Sequence, residues 1–138
     1  MLKALFLVII RSMKNLTLTI KINKPVKDVF DFTINPENTP KWIDFIITEQ
    51  TNEWPPKVGT IYRNQNAAGE WRELEMTAFE PNKEFIMSSK DGFHVRYMVI
   101  PVDENITELE YSERVDSGEL KNSLTMEALE KLKQIIEA

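Results

Sequence analysis

A long run of alternating apolar and polar residues, broken only at turn residues, most constrains the fold of this chain. The alternation extends over 58–115, and a shorter segment at 16–22 shows the same period. A period of two is typical of strands that bury one face, so both segments predict one antiparallel sheet with a single apolar face. That face needs a cover, and the amphipathic stripe near 118–137 is the only one long enough to provide it.

Turn residues divide the long segment into strands. Short clusters of Gly, Pro, Asn and Asp are spaced at hairpin lengths and split 60–115 into five antiparallel strands; they lie at 67–70, 80–83, 90–92 and 103–105. A further strand is predicted within 46–54, where the pattern does not show which face is buried. Together with the strand at 16–22, the sheet should contain about seven strands.

Two short helices should follow the first strand. Pro25 suits the first position of a helix, and apolar residues recur at helical spacing over 26–33. Pro36 ends that pattern. The segment 36–43 then predicts a second short turn of helix that places Trp42 against the sheet.

The C-terminal helix is predicted to cover 118–137. Asp116 or Ser117 would cap it, and Glu119 stands where a capping box requires an acid. Apolar residues form one stripe along this segment, at Leu120, Leu124, Ala128, Leu132 and Ile136. A coiled coil or a partner helix would show the same stripe, but the uncovered sheet favours an internal role.

The last strand predicts which residues face inward. One alternating set consists of Thr107, Leu109, Tyr111, Glu113 and Val115. Closing the preceding hairpin through 103–105 pairs residues of equal parity, and the same step can be repeated along the sheet. The inward set then continues with Phe93, Val95, Tyr97, Val99, Phe85, Met87, Leu74, Met76 and Ala78, while His94 and Arg96 point outward.

Length and charge limit the organisation and the partners. With 138 residues, the chain predicts one domain over 13–138. The apolar segment 1–12 forms a separate leader or extension that is too short to span a bilayer and lacks a small-residue cleavage site, so we expect a cytoplasmic protein without a stable membrane span. A net charge of −5 argues against a nucleic-acid partner, and the oligomeric state stays open.

The order of elements and several short motifs resemble one known superfamily. The order β-α-α-β6-α combines with three motifs: 25–32 (PVKDVFDF), 79–81 (FEP) and 107–111 (TELEY). Over about 14–137, the chain is similar to the START/polyketide cyclase-dehydratase (SRPBCC, helix-grip) superfamily. The resemblance implies an α+β helix-grip fold in which a curved sheet surrounds a long C-terminal helix. It also implies a cavity for lipids, polyketides, sterols or other apolar ligands, without naming an activity.

The residues show no reactive constellation of a familiar kind. The chain has no cysteine and one histidine, so neither a metal site nor a cofactor is expected. His94 should lie outside, beside Arg114. Glu113 is the single carboxylate in the inward set, where it would need a partner or a raised pKa unless it lies in water at the open end of the sheet. Arg72 has inward parity and is a possible partner for it.

Three functions follow from this pattern. The preferred one is a carrier or sensor of a small apolar molecule. A cyclase-like or dehydratase-like enzyme would use Glu113 as its catalytic residue together with Tyr97 and Tyr111. A protein-interaction module, such as a chaperone activator, would use exposed apolar residues near Trp54 or Trp71. The predicted ligand-binding residues are Trp42, Tyr62, Arg72, Met76, Met87, Tyr97, Tyr111 and Glu113.

Overall fold

The computed structural model describes residues 13–138, so the apolar leader predicted at 1–12 lies outside the described residues. Within that range, seven antiparallel strands form one open sheet, and three helices pack with it. The strands are β1 (Asn15–Ile22), β2 (Thr48–Thr51), β3 (Ile61–Gln65), β4 (Trp71–Glu80), β5 (Glu84–Ser88), β6 (Phe93–Asp103) and β7 (Ile106–Val115). The helices are α1 (Val26–Ile34), α2 (Thr39–Trp42) and α3 (Met126–Glu137). The predicted α+β helix-grip architecture is confirmed.

The sheet order is β1-β7-β6-β5-β4-β3-β2, which places the first strand next to the last. The pair β6–β7 has the register predicted from the hairpin at 103–105, because Val95 lies opposite Glu113 and Tyr97 opposite Tyr111. All four side chains are buried. The alternation of β7 therefore fixes the inner face of the neighbouring strand as expected.

The predicted alternation of β4 fails at its C-terminal end. Met76 pairs with Met87, but the next pair is Ala78 with Ile86, so a bulge inserts one residue. Beyond it the parity changes, and Phe79 rather than Ala78 turns inward, where its ring lies 5.7 Å from that of Phe30. The prediction that Ala78 faces inward is wrong for this reason.

The C-terminal helix begins later than predicted. Thr125 is its N-cap, and the Thr125 side chain accepts a hydrogen bond from the backbone N–H of Ala128 at 3.4 Å. The residues expected to cap a helix from 118 lie in an irregular segment, in which the N–H of Leu120 donates to the carbonyl of Met13 at 3.1 Å. The N–H groups of Leu120 and Leu124 donate to Met13 and Glu113, outside this segment, and not to a carbonyl one helical turn earlier. The predicted bounds 118–137 are therefore too long at the N-terminal end.

Helix α3 covers the β1 side of the inner face. Leu129 and Leu132 are fully buried, and the helix packs on β1, α1 and α2. Its last turn is tied to the end of β1, because Lys133 Nζ donates to the carbonyl of Lys21 at 2.8 Å and Glu137 accepts from the N–H of Asn23 at 2.7 Å. The amphipathic stripe has the predicted internal role. Among the helices in the described range 13–138, none is both long enough and apolar enough to cross a membrane.

The position of the helix start can be tested by removing each possible cap. Because the Thr125 hydroxyl accepts a hydrogen bond in the first turn of α3, we expect Thr125→Ala to lower the free energy of unfolding by about 1 kcal/mol. The exposed Ser117 caps no helix, so Ser117→Ala should change that free energy by less than about 0.5 kcal/mol. Urea unfolding measures both, with Thr125→Ser as the conservative control. A larger loss for Ser117→Ala than for Thr125→Ala would contradict the observed start of α3.

Candidate functional site

A pocket of about 290 Å³ lies on the inner face of the sheet, beyond the part that α3 covers. Strands β4, β5 and β6 supply Leu74, Met87 and Val95 to its wall. The opposite side is formed by Ile43, from the segment after α2, and by Leu124, just before α3. The pocket therefore lies largely under irregular segments, with Thr33 of α1 and Thr39 of α2 also in its lining.

Glu113 lies in the wall of this pocket and is only 4% exposed. Its Oε2 atom accepts hydrogen bonds from the Tyr111 hydroxyl and from the backbone N–H of Leu124, the latter at 3.1 Å. Its Oε1 atom is buried and has no hydrogen-bond partner among residues 13–138. Glu113 thus lies in the interior rather than in water at the open end of the sheet, with one oxygen bonded and one free.

Two tyrosines stand beside Glu113 in the wall. The rings of Tyr97 and Tyr111 meet edge to face at 5.1 Å, and Tyr97 stacks on Phe85 at 4.6 Å. Burial raises the pKa of Tyr97 well above its ordinary value, and the charges of Glu49 and Glu113 raise it further. Burial likewise raises the pKa of Tyr111, with added effects from Tyr97 and Glu113. Both phenols therefore stay protonated near neutral pH and act as hydrogen-bond donors.

A second carboxyl group, that of Glu49, also lines the pocket. The Thr39 hydroxyl donates to its Oε1 at 2.6 Å, and the Asn64 amide donates to its Oε2 at 3.3 Å. Burial raises the pKa of Glu49, and these two hydrogen bonds offset part of that rise. The sequence did not indicate this group, because the alternation within 46–54 does not reveal which face of β2 is buried.

Aromatic and basic residues form the rim. Phe45 and Trp71 line the pocket and are 44% and 43% exposed. The Arg72 guanidinium lies 3.9 Å above the centre of the Phe93 ring. Arg72 and Glu113 thus line the same pocket, but no ion pair joins them in the part of the chain that the structure describes. The expected partnership between them is absent there.

The structure brings five of the eight predicted ligand-binding residues to one pocket. They are Arg72, Met87, Tyr97, Tyr111 and Glu113. The other three, Trp42, Tyr62 and Met76, do not line it and are at most 2% exposed in the packed core. Trp42 packs edge to face on Tyr97 at 6.3 Å, and the Tyr62 hydroxyl donates to the carbonyl of Ile34 at 2.6 Å. Alternation identified the inner face up to the bulge after Met76, but it did not distinguish residues of the pocket wall from residues of the packed core.

His94 lies on the outer face, as predicted, opposite Arg114. Its Nδ1 atom is 2.7 Å from the Ser88 hydroxyl, and its Nε2 atom is 3.1 Å from Asp116 Oδ1. Asp116 is exposed and also accepts from Arg114 at 2.8 Å. This chain of contacts ties β5 and β6 to the turn after β7 on the solvent side, remote from the pocket.

Trp54, which the interaction hypothesis named, is 55% exposed. The other named residue, Trp71, lies at the pocket rim with the Arg63 guanidinium 4.7 Å above its ring. One face of the Trp71 ring is therefore in contact with Arg63 and is less accessible to a partner protein.

Comparison with known proteins identifies the fold. No family model matches the chain, and neither does any curated protein. Among solved structures, the protein XoxI from Bacillus cereus aligns with a TM-score of 0.71 at 14% identity, covering 90% of this chain and 96% of that one. A START superfamily protein from Mycobacterium smegmatis aligns with a TM-score of 0.65 at 16% identity, covering 90% and 94% of the two chains.

A Polyketide_cyc-like protein from Corynebacterium glutamicum is 23% identical, with a TM-score of 0.55 over 73% of this chain and 64% of that one. Identities this low show the fold alone. The START/polyketide-cyclase-like fold expected from the sequence is confirmed, and its chemistry has to be argued from the pocket.

The raised pKa of Glu49 predicts that this residue lowers the free energy of unfolding as pH rises. The folded state holds the Glu49 proton more tightly than the unfolded state does, so stability is greatest below the unfolded pKa and falls as pH rises through the folded pKa. Glu49→Gln removes that loss. We expect its free energy of unfolding, relative to wild type, to improve as pH rises from below the unfolded pKa to neutral pH.

Urea unfolding across that range measures the difference. The exposed Glu75 is the control, because Glu75→Gln should give a difference that varies much less with pH. A Glu49→Gln difference that stays constant or worsens as pH rises would contradict the burial of an ionisable Glu49.

Proposed function

We propose that this protein binds a small, mostly apolar molecule in the pocket, as a carrier or sensor. The observation that carries the proposal is the buried Oε1 atom of Glu113, an acceptor without a protein partner in a residue of the pocket wall. Buried polar atoms in proteins are nearly always hydrogen-bonded, so an unpaired one beside a pocket favours a ligand that supplies the missing donor.

The size of the pocket favours a compact ligand. At about 290 Å³ it stands at the lower end of the range of about 300–1,000 Å³ that ligand sites occupy. Its wall mixes apolar side chains with a few polar groups, as in sites that bury an apolar body and orient it by hydrogen bonds. Among the ligands that the fold suggests, a single aromatic or isoprenoid unit fits better than a long-chain lipid.

Filling the pocket should abolish binding. Val95 lies in the wall, and Val95→Phe projects a larger side chain into the space. We expect indole and naphthalene to shift the amide NMR signals of pocket residues in the wild type and to lose that effect in the variant. Val102→Phe is the matched control, because Val102 lies on the same strand but is 49% exposed.

The same proteins can be examined for a natural ligand by native mass spectrometry and extraction. Failure of both probes to bind the wild type, together with the absence of any co-purifying molecule, would contradict the proposal. Equal binding to Val95→Phe and wild type would place the ligand elsewhere.

A second proposal, an enzyme acting on a carbonyl compound, is favoured by one specific feature. Glu113 contacts the Tyr111 hydroxyl, and Tyr97 lies beside both, so a base and phenolic donors meet in one pocket wall. The Glu113 carboxylate would remove a proton from the carbon next to a carbonyl, while Tyr97 donates a hydrogen bond to the carbonyl oxygen as it becomes an enolate. The acidic proton on Glu113 exchanges with solvent before Glu113 returns a proton to the carbon, so solvent hydrogen is incorporated there.

This chemistry predicts exchange of protons for deuterium. Incubated with 4-phenyl-2-butanone in heavy water, the wild type should label the carbons next to the carbonyl faster than buffer alone. Glu113→Gln should retain binding of the ketone and reduce the enzymatic rate by about 100-fold or more, because an amide is not a base. Glu110→Gln, a carboxylate replacement outside the pocket lining, is the control. Labelling no faster than in buffer, with the ketone bound, would remove the enzyme proposal and leave the carrier.

A further inference from the structure

We propose that the ligand carries a hydrogen-bond donor at its inner end and an anionic group, such as a carboxylate, at its outer end. This inference rests on the proposed function of the pocket and specifies the chemistry of its ligand. It follows from which charged groups of the lining are already engaged by the protein and which are free.

Two of the three carboxylates in the lining are engaged through hydrogen bonds. Both oxygens of Glu49 accept, from Thr39 and Asn64. Glu70 accepts from the Asn66 amide at 2.9 Å. Among residues 13–138, Glu113 Oε1 is the lining carboxylate atom that is both buried and without a partner.

That atom determines the inner group of the ligand. A buried carboxylate oxygen accepts hydrogen bonds and repels a second anion, so it selects a hydroxyl or an amine. Tyr97 lines the same wall and its protonated phenol is a donor, which adds a partner for a ligand oxygen. A hydroxyl, able to donate to Glu113 and to accept from Tyr97, satisfies both residues.

The rim of the pocket, unlike Glu113 at its inner end, favours an anionic group of the ligand. Arg72 and Lys121 both line the pocket and are exposed, and neither forms an ion pair in the described part of the chain. Both also line an adjoining surface depression, which places them at the mouth. The Arg72 guanidinium is held on the Phe93 ring, so its position is fixed before a ligand arrives. Asp91 and Glu119 line that depression as well, but neither pairs with Arg72 or Lys121 among the described residues, so the two cations favour an anion at the mouth.

Three small molecules with one skeleton test both ends. 3-(4-Hydroxyphenyl)propanoate has both groups, 3-phenylpropanoate lacks the inner donor, and 4-ethylphenol lacks the anion. Isothermal titration calorimetry on the wild type should show the first binding about tenfold more tightly than 3-phenylpropanoate, because a charge-assisted hydrogen bond is lost without the hydroxyl. It should bind about threefold more tightly than 4-ethylphenol, since exposed ion pairs contribute less.

Variants assign each preference to its residue. In Glu113→Gln the side-chain oxygen is needed by Tyr111 and Leu124, so the amide nitrogen replaces Oε1 and a donor replaces an acceptor. In this variant, 3-(4-hydroxyphenyl)propanoate should bind less than about threefold more tightly than 3-phenylpropanoate. Arg72→Gln should remove the advantage of the carboxylate and leave 4-ethylphenol binding unchanged. Glu110→Gln and Arg114→Gln, which replace charges outside the lining, should preserve both preferences.

Several results would overturn this inference. Equal affinities for the hydroxylated and unsubstituted acids exclude the inner donor, and 4-ethylphenol binding as tightly as 3-(4-hydroxyphenyl)propanoate excludes the anion at the rim. In both cases binding within the pocket leaves the proposed function intact. If none of the three binds while indole or naphthalene does, the assigned polarity is wrong and the pocket is still a ligand site. If no probe of either set binds, the proposed function itself fails.

Discussion

The architecture depends on a mismatch between the area of the sheet and the length of its covering helix. Helix α3 has 12 residues and spans about 18 Å, whereas seven strands extend over roughly 29 Å from the first to the last. The helix packs on β1, at one edge of the sheet, together with α1 and α2. Helix α1 covers part of the inner faces of β4 and β5 through Phe30, and irregular segments lie over much of the rest without filling it. The pocket is the result of that incomplete cover.

Glu113 connects this geometry to chemistry. Its Oε2 atom binds the N–H of Leu124 just before α3, so the carboxylate fixes where the irregular segment after β7 returns to the sheet. The same segment supplies Leu124 and Lys121 to the pocket lining. One oxygen of Glu113 thus helps to position the pocket, and the other is buried without a partner among the described residues. The two oxygens of Glu113 therefore differ, since Oε2 accepts two hydrogen bonds and Oε1 accepts none.

The sequence predicted the fold well wherever a residue's position follows from periodicity. The alternation of β7 and the short hairpin at 103–105 were enough to place Tyr97 and Glu113 on one wall. Periodicity failed at the bulge after Met76, because an inserted residue leaves the composition of β4 unchanged while reversing its parity. It failed again before Met126, where Leu120 and Leu124 fit a helical stripe although tertiary hydrogen bonds hold their backbone elsewhere. Residues of the pocket wall and of the packed core show the same alternation. The sequence therefore could not show that Met87 lines the pocket while Met76 lies in the core.

The fold itself does not require the polar groups of the pocket. Solved structures at 13–16% identity share the architecture, which needs only inward apolar residues and a covering stripe. An apolar side chain at position 113 would satisfy the alternation and would avoid burying a carboxylate, which costs several kcal/mol when its bonding is incomplete. Glu113 retains one unbonded oxygen, so the hydrogen bonds from Tyr111 and Leu124 do not fully offset that cost. The proposed ligand site therefore rests on the unpaired oxygen of Glu113, because the fold alone does not require a carboxylate at this position.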